Sequence, residues 1–90
     1  MITIHMPANL ADEFRADPVL TMTARTYAEM LQALDNQYPG MASWLVEPDG
    51  RFREHLSIFV SGRRLAPRAH ASASLTDGSE VWILRAISGG

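Results

Sequence analysis

Ninety residues, 47% of them hydrophobic and 20% charged, suffice for one ordinary core and leave no room for a second. All eight cations are arginine, and ten acidic residues bring the net charge to −2. The chain therefore has no basic field for a nucleic-acid backbone and no lysine for a Schiff base or an isopeptide bond. With no cysteine either, thiolate catalysis, cysteine-held metals and disulfides are excluded together. No apolar run approaches the roughly 18–20 residues that cross a bilayer, and Met1 to His5 lacks the basic region of a signal peptide, so the expected location is the cytoplasm, away from membranes.

Ile2, Ile4 and Met6 alternate with Thr3 and His5, the period of a half-buried strand that Pro7 ends. Residues 8–18 read as a polar connection anchored by Leu10 and Phe14, and Val19 to Thr23 as a second strand paired with the first. Thr26 and Glu29 have capping-box spacing, which predicts a helix start. Tyr27, Met30, Leu31, Leu34 and Tyr38 then form one apolar stripe until Pro39-Gly40 stops it. Met41 to Val46 suggests a short helical turn, and Glu47-Pro48-Asp49-Gly50 a loop. Leu56 to Val60 alternates again. Ser61-Gly62-Arg63 turns the chain into a short strand at Arg64-Leu65, and after the Thr76 to Ser79 turn, Glu80 to Arg85 forms the last strand.

This order gives an α+β roll: a mixed sheet of four to five strands packed on one main helix. The domain is expected to span residues 1–85, with 86–90 as a flexible tail. His5, His55 and His70 are too dispersed to suggest a metal site. Asp12/Glu13 and Asp77/Glu80 read as loop and turn residues, so no catalytic constellation is expected and no metal or bound cofactor is assigned.

The hairpin Ile58-Phe59-Val60-Ser61-Gly62-Arg63-Arg64-Leu65, the Asp77-Gly78 turn before a hydrophobic strand, and the ending Ala86-Ile87-Ser88-Gly89-Gly90 together resemble the ubiquitin-like β-grasp fold and, within it, the MoaD/ThiS family of sulfur carriers. The resemblance implies that the chain is a co-substrate and not itself an enzyme. An E1-like adenylating enzyme would use ATP to activate the Gly90 carboxylate, sulfur would displace AMP, and the thiocarboxylate would serve a sulfur-accepting biosynthetic enzyme. Gly90 would carry the sulfur, while Gly89, Ser88 and Ile87 would thread into the partner. The lack of Cβ suits a glycine to a narrow channel, and five extended residues reach roughly 16–18 Å. A metalloprotease that trims the tail is a further partner the resemblance allows.

If Leu56, Ile58 and Val60 face the helix, Phe59 faces away; Trp82 and Leu84 join it from the last strand, and Thr3 and His5 from the first. This predicts a partner-binding patch of Phe59, Trp82 and Leu84, with Arg85 beside it where the tail begins. The alternative is that the Leu10/Phe14 or Met41–Val46 segments cover the patch. Arg63, Arg64, Arg68 and Arg85 could face an acidic partner or be solvated surface.

The chain length and the loop Pro48 to Arg53 look more like those of carriers feeding cysteine or secondary-metabolite synthesis than like those of the shorter thiamine-pathway members. Other functions compatible with the same chain are the small subunit of molybdopterin synthase, a ubiquitin-like protein modifier, and a non-catalytic β-grasp interaction module.

Overall fold

The computed structural model describes residues 1–66 and 70–85; Arg68 and the predicted tail, with Ile87, Ser88, Gly89 and Gly90, lie outside the described residues. The elements in chain order are β1 (Ile2–His5), α1 (Ala8–Phe14), β2 (Val19–Met22), α2 (Tyr27–Gln37), α3 (Met41–Leu45), β3 (Leu56–Val60), β4 (Arg63–Arg64) and β5 (Glu80–Arg85). The described strands form one five-stranded sheet in the order β2-β1-β5-β3-β4. Its middle is the parallel β1/β5 pair, and the remaining pairings are antiparallel. A parallel pair cannot be closed by a tight turn; here the connection from β1 to β5 carries α1, β2, α2, α3, β3 and β4.

Alternation sets the two faces of the sheet. Ile2, Ile4, Ile58, Val81 and Ile83 are buried against Met30, Leu34, Met41 and Leu45 from α2 and α3. At about 25 cal/mol per Å² of apolar surface removed from water, this layer is the main source of stability. The sequence-predicted α2 begins at Thr26, whose Oγ1 accepts from the Glu29 backbone N–H at 3.1 Å. The Glu29 carboxylate reaches back one residue further than an ordinary capping box, to the Arg25 N–H at 2.8 Å. At the other end, Asp35 Oδ1 accepts from the backbone N–H groups of both Gly40 and Ala42. One carboxylate thereby ends α2 and starts α3.

The segment read as a polar connection is in part a helix. Leu10 and Phe14 are four residues apart, so they share one side of α1; Leu10 and Ala11 are buried, and Phe14 packs against the core. At 7 residues, α1 is too short for its own periodicity to announce it, and its stability comes from that packing.

Candidate functional site

The outer face of the sheet, away from α2, carries a transverse row of side chains. Register places Val19, His5, Trp82, Phe59 and Arg64 side by side across β2, β1, β5, β3 and β4. The Trp82 indole stacks on the His5 imidazole, with centroids 3.6 Å apart and planes 2° from parallel. Trp82 Nε1–H donates to Glu80 Oε1 at 2.8 Å, and His5 Nε2 lies 3.4 Å from the same oxygen. Stack and hydrogen bond together fix the indole with one flank open to solvent. Leu84 lies opposite Ser57 on β3, whose Oγ accepts from Arg64 Nη2 at 3.2 Å.

Trp82 is 41% exposed and Leu84 42%, whereas Phe59, set between Trp82 and Arg64, is only half-buried and not fully exposed as its position on the outer face suggested. The segments that could have covered this patch do not reach it. Leu10, Met41 and Leu45 are buried in the common core with Ile4 and Val81, on the other side of the sheet.

Arg85 stands apart from the patch with which the sequence groups it. It alternates with Val81 and Ile83 and not with Trp82 and Leu84, and it lines a groove of about 380 Å³ with α1, α3 and the start of β3. The apolar walls come from Leu10, Trp44, Leu45 and Leu56, and the ionisable side chains are Arg53, His55 and Arg85. Trp44 is 46% exposed and meets Phe14 edge-on at a centroid distance of 6.2 Å. Arg53 Nε donates to Ser43 O at 2.9 Å, which fixes that guanidinium at the rim.

This groove was not legible in the sequence. Its sole advance signal was the pair of apolar anchors Leu10 and Phe14 in an otherwise polar stretch, because its walls come from three elements distant along the chain.

The other candidates fall elsewhere. His5 is on the outer face, His55 in the groove, and His70 holds the loop through Asp49 O at 3.1 Å and Ser72 Oγ at 2.9 Å. Among the described residues, no three His, Asp or Glu side chains cluster as a metal site, and no helix is long and apolar enough to cross a membrane. Asp77 bonds the terminal ammonium of Met1, which holds its carboxyl below the usual carboxylate range. Tyr27, edge-on to Phe52 at 5.5 Å, has its phenol pushed up by burial.

Comparison with known proteins agrees with this architecture. A family model described as "ThiS family" matches residues 6–90. Small archaeal modifier protein 3 of Haloferax volcanii is 29% identical over 65 residues, 72% of this chain and 70% of the relative. Among solved structures, Mycobacterium tuberculosis CysO superposes with a TM-score of 0.82 at 20% identity, covering 97% of this chain and 100% of that one. The Amycolatopsis orientalis BexX/CysO complex contains a chain matching with a TM-score of 0.85 at 19% identity, covering 100% of both. SAMP1 from Haloferax volcanii gives 0.73 at 21%, covering 99% of this chain and 98% of its own. At these identities the structural matches establish the β-grasp fold.

Proposed function

The chain belongs to the ThiS family, and from that premise we propose that it is a sulfur carrier whose working group is the Gly90 carboxylate. The observation that carries this reading is a family match running through residue 90 on a sheet whose central strand, β5, leads straight into the segment holding Gly89 and Gly90.

A carboxylate is a poor electrophile, so an E1-like partner supplies the activation. A Gly90 oxygen attacks the α-phosphorus of ATP and expels pyrophosphate. Hydrosulfide then attacks the acyl carbon of the adenylate, expels AMP and loses a proton to leave the thiocarboxylate. In the accepting enzyme the sulfur displaces a leaving group from an electrophilic substrate carbon, or adds to an activated double bond with uptake of a proton. Hydrolysis of the resulting thioester leaves the sulfur on the substrate and returns the carboxylate with one oxygen from water. The chain needs no bound cofactor for this; ATP belongs to the activating partner. Ile87, Ser88 and Gly89 thread the tail, a metalloprotease can remove residues that follow the glycines in longer precursors, and the outer-face patch docks the partner. The final acceptor is a small-molecule intermediate of cysteine or secondary-metabolite synthesis, a preference that rests on the chain length and the Pro48–Arg53 loop. The cytoplasm, where ATP is available, is the compartment this chemistry requires.

A second reading is protein modification, favoured by the relative called small archaeal modifier protein 3. Gly90 would then form an isopeptide bond with a target lysine. The chain has no lysine of its own, so copies could not be linked to one another through side-chain amines. A small-subunit role in molybdopterin synthase would use the same tail held in a lasting complex.

Intact-mass measurement after incubation with the activating enzyme, ATP and sulfide tests the proposal. A gain equal to one oxygen replaced by sulfur, absent from a chain lacking Gly90, supports carriage; no adenylate and no gain overturn it. Gly-Gly remnants on target lysines, without any thiocarboxylate, establish the modifier reading instead.

A further inference from the structure

We propose that the groove beside Arg85 is a second docking surface, and that it takes a partner segment in which a large apolar side chain is flanked by carboxylates. The inference deepens the carrier reading, because it concerns the protein that receives the tail, but it stands on separate observations.

The first is chemical. Acidic residues outnumber arginines ten to eight in the chain, yet the groove's ionisable lining is Arg53, His55 and Arg85, with no carboxylate. Positive charge is thus concentrated around an apolar floor, an arrangement that selects an apolar anchor with acidic neighbours over a neutral or basic one. Guanidinium forks match carboxylates bidentately. Arg53 is held at the rim by its bond to Ser43 O, and the Arg85 side chain makes no hydrogen bond or ion pair with another described residue. A volume of about 380 Å³ admits one large side chain with adjoining backbone.

The second observation is positional. Leu84 and Arg85 are successive residues at the end of β5, Leu84 on the outer face and Arg85 in the groove. The point where the chain passes to residue 86 is therefore flanked by the apolar patch on one side and the cationic groove on the other. A partner that engages both grips β5 from two sides and fixes the heading of the tail, whereas the patch alone leaves the domain free to pivot.

The chain's two tryptophans report the two surfaces separately, Trp44 in the groove and Trp82 on the outer face. The experiment follows their indole N–H signals by NMR in the full chain while a short capped peptide, a leucine-phenylalanine pair flanked by glutamates, is added. The signal of Trp44 should move and that of Trp82 should not. A peptide with lysines in place of the glutamates should have no effect.

Arg85→Gln should raise the peptide Kd about fivefold, Arg85→Lys should recover part of that loss, and added salt should weaken binding. Unchanged thermal unfolding confirms that each variant is folded. No movement of Trp44, or equal movement with acidic and basic peptides, overturns the proposal. A Trp44 signal that shifts on dilution assigns the groove to a second copy, and one that shifts when residues 86–90 are removed assigns it to the chain's own tail; either result also overturns it. The mass gain at Gly90 is read in a separate assay, so failure of the groove and failure of the carrier chemistry are distinguishable.

Discussion

The indole of Trp82 and the imidazole of His5 lie parallel at 3.6 Å across the β1/β5 pairing, and Glu80 Oε1 accepts from the indole N–H. A large exposed aromatic on a strand would ordinarily sample several rotamers. Here a neighbouring ring and a carboxylate hold one of them, so the surface offered to a partner is formed in advance and little side-chain entropy is lost on docking.

The stack should be measurable as a coupling. A double-mutant cycle over His5→Ala and Trp82→Ala, read by urea unfolding, is expected to give about 0.5–1.5 kcal/mol beyond the single effects. Additive single mutants would mean that the contact contributes nothing of its own.

If the outer face docks the activating enzyme, Trp82→Ala and Leu84→Ala should each raise the KM for the carrier about tenfold or more, the effect of losing roughly 1.4 kcal/mol or more of binding, with little change in kcat. Thr21→Ala, exposed near the far edge of the sheet, serves as the control. Steady-state adenylation kinetics read the result, and unchanged KM values for both variants would move the interface elsewhere.

Stability should fall off at both ends of the pH range for different reasons. Tyr27 has a phenol raised above its ordinary value of 10.0 by burial, so its contribution is complete below about that value and is lost as pH rises towards the folded-state value. Tyr27→Phe should flatten the alkaline limb. The Asp77 carboxyl is lowered from 3.8 by its bond to the Met1 ammonium, so its contribution is present above that pH and lost as pH falls below it. Asp77→Asn should remove this part of the acid limb. Thermal melts across pH, with each variant beside the parent, check both signs.

Two glycines with the same φ of +85° should differ in cost when replaced. An alanine Cβ at position 50 would lie 2.7 Å from His70 Nε2, while at Gly78 nothing is within 4 Å. Since hydrogen bonds to Asp49 O and Ser72 Oγ hold the His70 ring, it cannot swing away freely. Gly78→Ala should cost about 1 kcal/mol for left-handed backbone alone, and Gly50→Ala should exceed it within the roughly 1–3 kcal/mol expected of a strained site. Chemical denaturation gives the comparison, and equal losses would show that the imidazole yields without cost.

Much of this was legible along the chain because it depends on neighbours in sequence. Alternation at Ile2/Ile4, Leu56/Ile58/Val60 and Val81/Ile83 specified strands and their buried faces. The Thr26 cap and the stripe from Tyr27 to Leu34 specified α2, and the hairpin, the Asp77-Gly78 turn and the terminal glycines carried the family resemblance. These are signals of period and local backbone chemistry, and a linear string preserves both. What tertiary structure decided was adjacency between segments distant in sequence. The parallel register of His5 with Trp82 makes the stack, burial of Leu10 turns a polar connection into α1, and α1, α3 and the end of β5 meet around the groove. Arg85 shows the boundary between the two: its parity was written in the sequence, which sets it on the side of Ile83, but whether that side held core, solvent or a cationic groove was settled by elements arriving from elsewhere in the chain.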